Sequence, residues 1–396
     1  MKGFTTASLH GFHEKRLNPP HVLPIYPSSS FTFETLEESI EVFTKQKSGH
    51  VYSRYGNPTI QTVEDQLATL ETLGQNQEAT CLLTSSGMSA IHVILSAILK
   101  SGDALLTQKK LYGGTTELFS KVLVNQGIQI NTLKDLSEDQ LDLTLQQNPA
   151  IKVIYLETPS NPTLHCIDLA SVAQWAQKNG VITVLDNTFC TAFHQRGLAL
   201  GMDYVIYSTT KYLNGHGNSI AGAIISTHLD FMHKKVWTQL KLSGSTCNAF
   251  DAWLIHNGLK TLELRMIRHS ENALLLSRYL STHPMVSKVY YPGLESHETY
   301  TTAIKQMQNG FGGMLSFEIK GGLASVSKVV KQLKLATYAP TLGDVDTLIM
   351  HPASSSHLNI SEADRLEEGV TEGLLRVSVG IENIEDLISD FEQAMN

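Results

Sequence analysis

The sequence predicts an α/β protein with a mostly parallel central sheet and a smaller C-terminal α+β domain. Two observations carry this. Short runs that are apolar on both faces (ATCLLT, DALLTQ, IQINTL, IKVIYLE, VITVLDN, DYVIYST, AGAIIST) recur between residues 79 and 227, with helix-like segments between most of them. Strands buried on both faces and separated by helices belong to a parallel sheet covered on each side. After about residue 250 the rhythm changes to a long helical stretch, well-spaced strand-like runs and a closing helix. The 396 residues are enough for two or three domains at roughly 150 residues each.

Taken in order, residues 1–58 read as an irregular arm, with clustered prolines, a Ser28-Ser29-Ser30 run and an acidic stretch from Glu34 to Glu41. Tyr26, Phe31, Phe33, Phe43, Tyr52 and Tyr55 make it too aromatic for a solvated tail. An arm of this kind is expected to lie across something else, either its own domain or a neighbouring subunit. Residues 59–250 form the α/β domain: TIQTVEDQLATLETL reads as a helix, and SSGMSAIHVILSAILKSG as a glycine turn opening into an apolar helix that ends at Gly102. Residues 251–396 form the smaller domain. Its 249–283 stretch reads as one helix, VSKVYYP and GGMLSFEIKGG as strands, VSKVVKQLKLA as a helix and LLRVSVGIEN as a strand. In the last helix Ile384, Leu387, Ile388 and Phe391 share a face.

Composition removes several classes of function. Thirty Lys+Arg against 38 Asp+Glu leave a formal charge of −8, so nucleic acid and anionic lipid have little to grip. No apolar run approaches the ~20 residues that span a bilayer, and the first residues lack the apolar core of a signal peptide. Cys81, Cys166, Cys190 and Cys247 form no CxxC pair; reduced thiols in a cytoplasmic protein are expected. The histidines form no HExxH or zinc-finger spacing, so no metal is expected.

Ligands of open α/β sheets bind beyond the carboxyl ends of the strands. Asp186 ends VITVLD; Ser208, Thr210 and Lys211 follow DYVIY; Glu157 and Asn161 follow IKVIYL. A simple Asp186–Lys211 ion pair is the plainer reading of those two residues alone. A desolvated lysine, however, suits a nucleophilic amine. Ser85, Ser86 and Gly87 present free N–H groups at a helix start, a ready anion site. Neither GxGxxG nor a P-loop is present, which argues against NAD and ATP. A phosphate site, a Schiff-base lysine and a carboxylate for a ring nitrogen are the parts that pyridoxal 5'-phosphate (PLP) requires, and together they outweigh the ion-pair reading.

With these residues in view, the chain resembles the Cys/Met-metabolism family of PLP-dependent enzymes. The likeness runs from YSRYGNPT (52–59) through SSGM (85–88), LYGGT (111–115), ETPSNP (157–162), DNTF (186–189), STTKYLNGHG (208–217), TLGDVDTL (341–348) and HPASSSH (351–357) to LRVSVGIE (375–382). It implies the PLP-dependent transferase-like fold (aspartate aminotransferase fold type I). It implies that Lys211 is the Schiff-base lysine and catalytic base, that Asp186 meets the pyridine nitrogen, and that Ser86, Gly87, Met88, Ser208 and Thr210 hold the phosphate. Tyr112 stacks on the cofactor and serves as acid or base. Asn161 touches the phenolic oxygen or the substrate carboxylate, and Arg376 grips that carboxylate; Thr341 stands where the family usually has serine. Tyr52 and Arg54 reach the phosphate of a neighbouring subunit, so residues 1–58 contact that neighbour and a homodimer is the minimum, with a homotetramer expected.

The implied substrates are small sulfur amino acids. Gly114 replaces the cysteine usual in methionine γ-lyases, Leu242 replaces their aspartate, and Pro340 replaces a glutamate common in cystathionine-handling members. TLGD with HPAS is nearer to methionine γ-lyases and sulfhydrylases. The resulting order places a Cγ–S lyase (α,γ-elimination) first, γ-replacement by a cystathionine γ-synthase or O-acylhomoserine sulfhydrylase second, and cystathionine β-lyase third. A catalytically silent scaffold and another PLP reaction, such as transamination, stay open at this point.

Overall fold

The computed structural model describes residues 3–10, 20–358 and 361–396. Seven strands form the larger sheet: β1 (Thr80–Thr84), β2 (Ala104–Gln108), β3 (Gln129–Leu133), β4 (Ile151–Glu157), β5 (Ile182–Asp186), β6 (Tyr204–Tyr207) and β7 (Gly222–Ser226). Their order is β1-β7-β6-β5-β4-β2-β3. β7 runs antiparallel to both neighbours and every other pairing is parallel. Side chains on a strand alternate between faces, and here both faces are buried. Val153 and Tyr155 of β4 face the core formed with helix Gly87–Ile98. Ile154 and Leu156 face the opposite core, which includes helices Pro58–Glu71, Leu169–Asn179 and Ala249–Leu259. This two-sided burial is why the strands read as continuous apolar runs.

The smaller sheet contains β8 (Val286–Tyr290), β9 (Met314–Ile319), β10 (Thr337–Tyr338), β11 (Leu348–Met350) and β12 (Leu374–Ser378). They lie in the order β10-β11-β12-β9-β8, antiparallel except for β10–β11. Helix Ile384–Met395 packs Leu387 and Phe391, both fully buried, with the Phe391 ring edge-on to Phe317 of β9.

Four local expectations are corrected. The 1–58 stretch contains helices Phe4–His10 and Leu36–Phe43, and Phe4 and Ala7 pack into the chain's own main core; residues 1–2 and 11–19 lie outside the described residues. The helix after SSG ends at Ile98, and Gly102 sits in the following turn with φ +92°. The 249–283 stretch is two helices, Ala249–Leu259 and Leu262–Thr282. Arg265 Nη2 and Thr261 N both donate to the Gly258 carbonyl, which takes that oxygen out of the helical ladder. Finally, the helix expected at 326–336 spans Gly322–Gln332, and β10 and β11 were not anticipated.

Candidate active site

The strand order decides which residues meet. β4, β5 and β6 are adjacent and parallel, so Glu157, Asp186 and the Ser208–Lys211 turn emerge side by side at one sheet edge. The turn after β1 joins them because Gly222, at the start of β7, has no side chain: a Cβ there would lie 2.4 Å from the Ser86 carbonyl oxygen. From the smaller sheet come Arg376 on β12 and the Pro340–Leu342 segment.

These elements enclose a cavity of about 260 Å3. Its lining includes Ser86, Gly87, Met88, Tyr112, Asn161, Asp186, Ser208, Thr210, Lys211, Thr341 and Arg376. Tyr52 and Arg54 are not among them. Arg54 donates from Nη1 to the Lys241 carbonyl at 2.7 Å, and its guanidinium carbon lies 4.9 Å from the Tyr55 ring centre.

Lys211 and Asp186 do not pair, which removes the plainer reading. Lys211 Nζ donates to Thr341 Oγ1 at 2.9 Å. Burial, reinforced by the charge of Arg376 and opposed by Asp344, pulls the amine down to about 8. Asp186 Oδ1 accepts from Thr188 N at 3.0 Å and Thr188 Oγ1 at 2.5 Å; burial raises its pKa and the Thr188 donors oppose that rise. Thr188 also accepts from Ser208 N at 2.8 Å, tying the two strand ends together.

Arg376 is buried, and its partners are neutral: Asn161 Oδ1 at 3.2 Å, the Thr341 carbonyl at 3.1 Å and Met350 Sδ at 3.3 Å. Its Nε has no hydrogen-bond partner among the described residues. A desolvated guanidinium without a carboxylate is costly, and burial lowers it to about 10. Such a group is poised for an anionic ligand, and its planar fork matches a carboxylate.

At the other end of the cavity Ser86 caps helix Gly87–Ile98 by accepting from Ser89 N. The first N–H groups of a helix have no intrahelical acceptor, and Gly87 and Met88 occupy those places. A Cβ on Gly87 would come within 2.7 Å of Ser208 Cβ, so glycine brings this backbone against the serine and makes an anion cradle. The Thr210 hydroxyl is shared with the backbone of Ala221.

Two further lining residues were not assigned roles from the sequence. Thr188 sits in the quoted DNTF motif, and Glu157 was noted only as a strand end. Glu157 is fully buried, and burial followed by the neighbouring Asp186 raises it to about 8. An anion cradle, an amine free of any carboxylate and a buried acid facing one cavity fit PLP, whose phosphate, aldehyde and ring nitrogen they would meet.

The comparisons agree. A model of the Cys/Met metabolism PLP-dependent enzymes matches residues 5–396. The chain is 40% identical over 395 residues to an L-methionine gamma-lyase of Fusobacterium nucleatum subsp. polymorphum, covering 99% of this chain and 98% of that protein. It is 36% identical over 394 residues to an O-succinylhomoserine sulfhydrylase of Pseudomonas aeruginosa, covering 99% and 95%. A crystal structure of cystathionine gamma synthase from Xanthomonas oryzae pv. oryzae, in complex with aminoacrylate and cysteine, superimposes with a TM-score of 0.91 at 37% identity, covering 99% and 97%. Fold, cavity and sequence likeness lead to one conclusion: this chain belongs to the Cys/Met metabolism family of PLP-dependent enzymes.

Proposed function

We propose that the chain is a PLP-dependent Cγ–S lyase, releasing a thiol, ammonia and a 2-oxo acid from methionine, homocysteine or cystathionine by α,γ-elimination. The observation that carries the reading is the charge of the cavity. Phe189, Ile220, Pro340 and Leu342 give it apolar wall, and its lining carboxylates within this chain are Glu157 and Asp186. Neither is offered to a distal ammonium group, because Asp186 is committed to the ring nitrogen and Glu157 to neighbouring donors. An uncharged distal end, as in methionine or homocysteine, is therefore favoured over cystathionine. The 40% identity to an L-methionine gamma-lyase points the same way.

PLP, when bound, supplies an aldehyde for the substrate amine and an electron sink for charge released at Cα. Gly87 and Met88 N–H with the Ser86, Ser208 and Thr210 segments would hold its phosphate, Asp186 its ring nitrogen, and Lys211 its aldehyde carbon. Arg376 binds the substrate carboxylate, with Asn161 beside it. Lys211, held by Thr341 until displaced, removes the Cα proton; its lowered basicity leaves a useful neutral fraction near neutrality. Tyr112, half exposed at the cavity mouth, closes over the ring and gives a proton to the departing sulfur. Tyr52 and Arg54, which do not line their own cavity, serve a neighbouring subunit's phosphate.

That assignment entails a homodimer at least, with a homotetramer expected and residues 1–58 as the contacting arm. Residues 59–250 then bind the cofactor and 251–396 supply Arg376 and Thr341. A cytoplasmic location fits the four free, buried cysteines; no described helix is long and apolar enough to cross a membrane.

The second reading, γ-replacement, is favoured by the likeness to the sulfhydrylase and to cystathionine gamma synthase. Incubation with methionine, homocysteine, cystathionine and O-acetyl- or O-succinylhomoserine, with and without sulfide or cysteine, separates the two. A lyase yields 2-oxobutanoate, ammonia and methanethiol from methionine with no added thiol. Turnover that requires an acylated homoserine and a thiol would replace this reading with the second.

A further inference from the structure

Glu157 ends β4 directly beside Asp186, its register partner on β5. A second negative charge on two neighbouring buried carboxyl groups is disfavoured where no cation is paired with them. No cation is hydrogen-bonded or ion-paired with Glu157 among the described residues; its side-chain partners are Tyr112, Thr115 and Tyr155. The groups that face it are Tyr155 on its own strand, Asp186 on the next strand, and the Tyr112 and Thr115 segment above.

Its contacts are as informative as its neighbours. Oε2 accepts from the backbone N of Tyr112 at 2.7 Å. Oε1 lies 2.8 Å from Thr115 Oγ1 and 3.2 Å from Tyr155 Oη. Tyr112 stands at the start of helix Gly113–Leu118, whose first turn has no capping side chain of its own. A residue from a strand end thus fixes the backbone that carries Tyr112. The β4 end is itself held rigidly, since Gln108 accepts from Glu157 N at 2.9 Å and donates to Glu157 O at 2.8 Å.

We propose that Glu157 is a positioning residue: its carboxyl group sets Tyr112 over the cavity, and it does so carrying a proton, so that the single negative charge of the Glu157–Asp186 pair resides on Asp186. A neutral acid meets every contact seen. The carbonyl-like oxygen accepts from Tyr112 N, and the O–H turns to the hydroxyl of Thr115 or Tyr155, each of which can accept as well as donate. Both carboxyl groups accept N–H and O–H donors, but Asp186 also meets the Tyr155 hydroxyl and is the one that would face the cofactor's ring nitrogen, whose positive charge favours the ionised form. Burial and the adjacent charge push Glu157 in the same direction.

The role of Tyr112 as proton donor rests on the proposed lyase chemistry, so the test reads placement separately from turnover. Amide hydrogen exchange over residues 109–118 is followed in the parent chain, Glu157→Ala and Glu157→Gln, before and after loading with PLP. Exchange at the Tyr112 amide is expected to speed up in Glu157→Ala and to stay slow in Glu157→Gln, which has the shape and neutrality of the acid. In the loaded enzyme Glu157→Ala is expected to lose about 10²-fold in kcat/KM, and Glu157→Gln to recover most of that loss. Slow exchange in Glu157→Ala would overturn the positioning role. Fast exchange or an equal loss of turnover in Glu157→Gln would overturn the proton assignment, and that comparison with the parent decides the matter even if the alanine variant does not fold. A parent chain that releases no thiol would sink the lyase reading while leaving the exchange result to judge Glu157.

Discussion

The proposed chemistry turns on Lys211, whose two charged neighbours set opposite demands. Arg376 and burial lower its basicity while Asp344 raises it, and the balance lies near 8 against an ordinary lysine at 10.5. Two outcomes follow. Lys211→Ala is expected to cut turnover by about 10³-fold or more with an unchanged circular dichroism spectrum; a normal rate would overturn the assignment. In the cofactor-free chain the reactive form of Lys211 is the neutral amine. PLP uptake, followed by absorbance, should therefore accelerate up to about pH 8 and level off above it; acceleration continuing toward pH 10 would show an unperturbed lysine. The places of Lys211 and Asp186 in the cavity could be read from the sequence because Asp186 ends one apolar run and Lys211 lies in the turn after the next, at strand ends where a charged group needs a reason. The task of Glu157 could not, because its bond to Tyr112 spans forty-five positions, and of the Thr188 bonds only those to Asp186 are local, the one from Ser208 N coming from the next strand end. Arg376 and Thr341 could be placed only by family likeness, since one lies on the other sheet and the other in the connection between β10 and β11.

At the scale of elements, the long helical stretch after residue 248 shows what periodicity misses. Its apolar spacing continues through residue 260, but Gly258 packs against the Asn214 backbone so closely that a Cβ would lie 2.2 Å from the Asn214 oxygen. Arg265 then bridges the Gly258 and Tyr212 carbonyls, pinning both helices to the segment that follows Lys211. The contact joins residues some fifty positions apart, so nothing near Gly258 announces it. Gly258→Ala is expected to destabilise the chain by about 1–3 kcal/mol through overpacking, measured by urea unfolding, and to weaken PLP retention because the Lys211–Gly215 turn must move. An unchanged midpoint would show that the turn yields without cost. The strands were legible for the opposite reason: two-sided burial writes itself into every residue of the run. β11, at three residues, is too short for any run to register.

The whole molecule leaves one region without an explanation inside a single chain. Leu36, Ile40 and Phe43 are exposed on one helix, and Arg54 lies among Tyr52, Tyr55, Trp237 and Lys241 instead of in its own cavity. The proposed neighbouring subunit would account for both. Mixing inactive Arg54→Ala chains with inactive Lys211→Ala chains should restore part of the activity, because some mixed sites receive an intact Arg54 and an intact Lys211; no recovery would place Arg54 in a structural role. The cavity itself has a consequence of this larger kind. Its amine follows β6 of the seven-stranded sheet and its guanidinium lies on β12 of the five-stranded one, with Thr341 and Asn161 among the links across the cavity. An unreactive carboxylate analogue bridging that gap would act as a fastener between the halves, slowing tryptic cleavage and adding about 2.7 kcal/mol at a hundredfold excess over its Kd. Arg376→Ala should abolish that protection even while the cofactor's colour remains.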